Sequence, residues 1–191
     1  MGAVLELTVK DKNGKVTEHR LMRSKSFVRQ FLELLWIQTY QIPKVAPYNM
    51  RDTANVLQDV CESAYTFDAS AAIADITHGI IVGTGTTAPT IDDYAIETLI
   101  DHGTDPGELQ YGAVAFGAPA SDATTSQFTI TRDFANASGG AITVNEIALY
   151  AKGYKYGTSY YFMVIRDVIA GGIAVPDGQT LTVNYREQAV V

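Results

Sequence analysis

One cysteine, one tryptophan and three histidines in 191 residues leave little material for cross-links or metal chemistry. Cys61, being alone, forms no intramolecular disulfide. Its flanks, VLQDVCESA, supply no base, so it reads as a buried inert thiol rather than a nucleophile, which needs an electropositive setting. His19, His78 and His102 are scattered without H-x-x-x-H spacing, which argues against zinc. No apolar run approaches the ~20 residues of a membrane helix. The start, MGAVLELTVKDKNGK, has no basic segment leading into an apolar stretch, so no cleavable signal is expected and the product reads as soluble and made in a cytoplasm. There is no G-x-S-x-G elbow and no Walker lysine, and Gly157-Thr158-Ser159-Tyr160 replaces neither. No catalytic, cofactor-binding or metal-binding residue is assigned.

Basic residues are missing from the whole middle of the chain. Residues 52–131 contain twelve acids and no Lys or Arg, a charge of −12. Residues 1–51 carry nine Lys/Arg against four acids (Glu6, Asp11, Glu18, Glu33), giving +5, and residues 132–191 balance at five each. An acidic middle opposes nucleic-acid binding, which needs a basic footprint. It reads either as a solvated acidic face or as one half of a polar molecule whose basic end meets the acidic middle of a neighbouring copy. The length favours one cooperative domain, large enough to bury a core without staples.

The stretch that organises the rest is GIIVGTGTTAPTIDDYAIETLIDHG, residues 79–103. Glycines straight after an apolar strand mean a sharp turn or a close approach, here expected to be that of another protein. Before it, Val4–Val9 and Val16–Leu21 flank Asp11-Lys12-Asn13-Gly14, a hairpin signal. Ser26 can cap a helix in which Phe27, Phe31, Leu34 and Leu35 share a face and Arg29, Gln30, Glu33 and Gln38 occupy much of the remainder. That helix is expected to end before Pro43; Trp36 and Tyr40 near its end could anchor a partner helix but are read first as core. Residues 42–70 lack periodicity and read as a long surface excursion, a type of segment that commonly makes contacts.

Beyond the central stretch the signals are β. Strands are expected at Tyr111–Phe116, Gln127–Arg132, Ile142–Tyr150, Tyr160–Asp167 and Leu181–Arg186, separated by turns at Asn136–Gly140 and Pro176-Asp177-Gly178. The expected fold is mainly β: an antiparallel β-sandwich-like domain with an N-terminal β-hairpin and one amphipathic helix. Its stretches are 1–41 (hairpin and helix), 42–78 (extended excursion) and 79–191 (sandwich core).

Gly83-Thr84-Gly85-Thr86-Thr87-Ala88 matches the dinucleotide pattern G-x-G-x-x-A. That reading needs a helix over about Asp92–Ile100 and a parallel strand after it, and the alternating strands that follow suit antiparallel sheet better. Asp92, Asp93, Glu97 and Asp101 supply oxygens of the kind Ca²⁺ takes, but without EF-hand spacing, so a solvated or helix-starting cluster is the plainer reading. Tyr154, Tyr156, Tyr160 and Tyr161 raise a sugar-stacking alternative, a carbohydrate-binding or adhesin-like module, although tyrosine is also common in strands and at interfaces.

Taken together, GIIVGTGTTAPTIDDYAIETLI, FTITRDF, VNEIALYAK, VIRDV and VPDGQTLTVNY resemble a family of small structural proteins of tailed bacteriophages. The resemblance covers about residues 79–186. Glu146 matches the family glutamate, while Ala148 stands where glycine is usual and Ile96 where leucine is usual. It implies a non-enzymatic, multi-copy virion component of tail, baseplate, neck or capsid surface, made in the host cytoplasm. It would contact copies of itself and other virion proteins, with no nucleic acid, membrane or cofactor. Expected assembly contacts are Gly83, Gly85, Asp92, Asp93, Tyr94, Trp36 and Tyr48; the sugar alternative would use Tyr154, Tyr156 and Tyr160. Glu146, set between apolar residues, is expected to pair with Arg132 or Arg166 or to cap backbone groups, because an unpaired buried charge is costly.

Overall fold

The computed structural model describes residues 2–24 and 27–190. Ser26, the expected helix cap, lies outside them. Strands β1 (Gly2–Lys10) and β2 (Val16–Ser24) form the expected N-terminal hairpin. Its connection is a five-residue loop rather than a two-residue turn: the Asp11 carboxylate accepts the N–H groups of Asn13 and Lys15, and Gly14 takes a positive φ of 79°. β1 alternates strictly, sending Ala3, Leu5, Leu7 and Val9 inward.

Helix α1 (Arg29–Tyr40) follows. Its N-cap position, Val28, offers no side-chain bond, and the Arg29 N–H is met instead by the carbonyl of Ile91 at 3.0 Å. The buried face is Gln30, Leu34 and Ile37. That corrects two expectations. Gln30 points inward rather than to the polar side, and Trp36 and Tyr40 are 46% and 67% exposed rather than in the core. Leu32, Trp36 and Tyr40, spaced by four, form a row on the solvent side that Leu35 borders.

Residues 42–70 are more ordered than their lack of periodicity suggested. β3 (Tyr48–Arg51) and β4 (Leu57–Val60) make a hairpin whose turn is tied by Asp52, which accepts the N–H groups of Ala54 and Val56. A four-residue strand holding one buried side chain leaves almost no pattern to read.

The remaining strands are β5 (Gly79–Gly83), β6 (Gln110–Tyr111), β7 (Ala115–Phe116), β8 (Ala120–Ser121), β9 (Thr125–Ala135), β10 (Ile142–Lys155), β11 (Thr158–Val175) and β12 (Thr180–Val190). The expected strand over 111–116 is therefore two short pieces, β6 and β7, both on β9. One sheet runs β2-β1-β12-β9-β6, with β7 and β8 also on β9; the other runs β11-β10-β5. All pairings between these strands are antiparallel. Tyr185 on β12 reaches from the first sheet to the second, donating to the Ile147 carbonyl of β10 at 3.2 Å. A single apolar cluster between the layers draws residues from 1–41, 42–78 and 79–191 alike.

Arg132 on β9 is wholly buried, yet the atoms around its guanidinium are carbonyl oxygens: Gly112, His78, Ile80, Ala72 and Asp75, at 2.5–3.3 Å. It also lies over the Tyr111 ring at 4.8 Å. One planar fork of five N–H donors thus pins segment 72–80 onto the first sheet.

Candidate functional site

The Gly-Thr-Gly turn ends β5 and is met by a carboxylate of its own chain. Glu146 on β10 has no exposed surface. Its Oε1 accepts the N–H groups of Gly85 at 2.9 Å and Thr98 at 2.8 Å, and its Oε2 those of Glu97 at 3.0 Å and Arg166 Nε at 2.9 Å. The expected partner is therefore found, and of the two candidates it is Arg166. A Cβ on Gly83 would sit 2.8 Å from Glu146 Oε1, and one on Gly85 would overlap that oxygen. The two glycines are there because backbone and carboxylate must touch. Both are buried, so they present no surface to a partner. The segment after them stays in turns and bends, without the helix a pyrophosphate site requires.

Arg166 distributes its other nitrogens over the same loop, reaching Asp93 at 2.8 Å and Glu97 at 3.4 Å. Burial opposes the Arg166 charge, but the hydrogen bonds it donates to Glu146 and Asp93 outweigh it and hold its pKa above the ordinary value. Burial likewise pushes Asp93 up, while Thr90 and Arg166 more than offset it and leave that carboxyl below its usual range. Asp92 turns the other way and pairs with Arg29. Asp92, Asp93 and Glu97 are each aimed at an arginine. Among the described residues, no group of three or more metal-ligating side chains assembles.

The expected contact residues separate into two sets. Gly83, Gly85 and Asp93 belong to the interior of the Glu146 network. Tyr48, Asp92 and Tyr94 come together around a cleft of about 390 Å³ beside α1, with Arg29 and Glu33. Trp36 joins this surface, 5.1 Å edge-on to Tyr48 and stacked with Tyr40 at 5.5 Å. The tyrosines of the sugar alternative are not one platform. In the β10–β11 hairpin Tyr154 faces Ser159 and Tyr160 faces Gly153, so Tyr154 and Tyr160 project to opposite sides. Tyr156 occupies the turn at φ 51°, its hydroxyl donating to the Lys44 carbonyl at 2.7 Å.

Sequence reasoning missed a second concavity. An apolar groove of about 680 Å³ opens where α1 and residues 64–70 face the first half of β9, the middle of β10 and the end of β12. Glu187 continues the inward row Leu181, Val183, Tyr185 into it. Its Oε1 is buried without a hydrogen-bond partner among the described residues. Burial first, then the neighbouring Asp167 charge, pushes the Glu187 carboxyl up to about 7. The period-2 row running past Tyr185 was the available signal; a charged residue at its next inward position marks the end of the core.

Two outcomes follow. Glu146→Gln keeps the shape but removes the charge that four donors serve, leaving Arg166 less compensated. It should cost about 3–5 kcal/mol in urea unfolding, and a loss under about 1 kcal/mol would show the pair to be incidental. For Glu187 the folded pKa of about 7 lies above the ordinary 4.5, so its protonated form favours folding. Its contribution is intact below about pH 4.5 and lost as pH rises through about 7. Glu187→Gln should therefore raise stability by up to about 3 kcal/mol at pH 8 and leave it nearly unchanged at pH 4.5, read from denaturant midpoints.

Compared with known proteins, the chain matches no family model, no curated protein and no solved structure.

Proposed function

We propose that this chain is a non-enzymatic structural protein that works through contacts between its own copies, as a virion component of the kind found in tailed bacteriophages. The phage assignment rests on the motif resemblance over residues 79–186. The assembly reading rests on one observation: the solvent-side row Leu32, Trp36 and Tyr40 on α1, 65%, 46% and 67% exposed. Helices that dock on other proteins present such i, i+4, i+8 rows, and tryptophan and tyrosine are the residues that most often anchor interfaces. Tyr48, Tyr94 and the Arg29–Asp92 pair extend the row into a mixed apolar and polar surface.

Charge favours a second copy as the partner. Lys10, Lys12 and Lys15 sit at the β1–β2 loop, and Asp101, Asp105 and Glu108 lie in the segment before β6. Lys10 pairs with Thr180, Thr180 with Ala135 and Ala135 with Gln110, so both charge groups stand at the same end of one sheet, near opposite edges. None of the six forms an ion pair among the described residues. Copies placed side by side would bring lysines against carboxylates, and such a head-to-tail contact closes into a ring when its rotation permits.

Light scattering across a salt series tests this. The wild-type protein should form a defined oligomer that loosens as salt rises past ~0.1 M, where exposed charges are screened beyond about 10 Å. Trp36→Glu with Tyr40→Ser should leave a folded monomer. Identical size distributions for the wild type and that variant would reject α1 as the contact.

A further inference from the structure

We propose that the groove between α1, residues 64–70, the first half of β9, the middle of β10 and the end of β12 is a binding site for a small apolar ligand carrying a single ammonium group. The apolar part follows from the walls. Phe31 and Phe67 meet edge to face at 5.5 Å, and Phe128, Ile130, Leu149 and Ala151 add further apolar wall. A volume of about 680 Å³ lies within the ~300–1,000 Å³ usual for small-molecule sites, which enclose most of a ligand's surface and orient it with a few polar groups.

The head group follows from charge. Among the described residues the lining contains two acids, Asp68 and Glu187, and no lysine or arginine. Asp68 is already satisfied: Lys152 Nζ lies 3.1 Å away, and the Ser70 N–H donates at 2.8 Å. Glu187 is not, since its buried Oε1 has no partner among the described residues. A wholly apolar ligand would seal that carboxylate from water without a donor, which is unfavourable. An anionic one would add a negative charge beside Glu187, whose ionisation the Asp167 charge already opposes. An ammonium supplies the missing donor and the opposite charge together.

Octylamine, octanol and octanoate are the probes, titrated at pH 8 into the full chain by calorimetry with NMR line-shape confirmation. Octylamine should bind one to one and at least tenfold tighter than octanol, and octanoate should not bind. Glu187→Gln should weaken octylamine about tenfold and leave octanol unchanged. Ala189→Trp, an exposed position on the groove wall, should block both amine and alcohol, with circular dichroism showing both variants folded. Three results would overturn the site: octylamine no tighter than octanol, an affinity unaltered by Glu187→Gln, or binding retained in Ala189→Trp.

Discussion

Four donors converge on a carboxylate that has no contact with solvent. Glu146 is held by three backbone N–H groups and by Arg166, and every one of the four belongs to or faces the loop between β5 and Ile100. Removing an ion from water costs several kcal/mol, and an interior pair recovers that only when geometry and remaining hydrogen bonds are close to complete. Here they are. The loop has little regular structure of its own, so its course over the outer face of the β11-β10-β5 sheet is set by this anchor and by the Arg166 contacts to Asp93 and Glu97. The loop in turn supplies the Ile91 carbonyl that meets the first N–H of α1. The exposed row of that helix thus depends, at one remove, on a glutamate in the middle of a strand.

The same logic disposes of much of the acidic middle. Asp59 pairs with Lys155, Asp68 with Lys152, Asp92 with Arg29, and Asp93 and Glu97 with Arg166. Basic residues from outside residues 52–131 neutralise these acids within one molecule, which shortens the list of charges free for a neighbour. Among the described residues without an ion pair are Lys10, Lys12 and Lys15 near one edge of the larger sheet and Asp101, Asp105 and Glu108 near the other, at the same end. Arg132 is the counter-example, a buried cation served by carbonyl dipoles and two aromatic faces rather than by an anion.

The strands and their order of appearance were largely legible, because β1, β9 and β12 alternate apolar and polar side chains over nine or eleven residues. The Glu146 partner was legible as one of two arginines, since a lone carboxylate among Ile, Leu and Val has few alternatives. The purpose of Gly83 and Gly85 was only half legible. Sequence shows that something comes close to them, but not that it is a residue sixty positions later on an adjacent strand. The outward turn of Trp36 and Tyr40 was hidden because α1 is apolar on more than one face, so periodicity fits two orientations and tertiary contact with β11 decides between them. The groove was invisible because its lining comes from six separate segments.

Amide hydrogen exchange at Gly85, Glu97 and Thr98 tests most directly whether Glu146 anchors the loop. Protection factors comparable to those of β10 are expected, since these three N–H groups open only when the carboxylate lets go. Exchange at the rate of an unstructured loop, with β10 still protected, would contradict that anchoring.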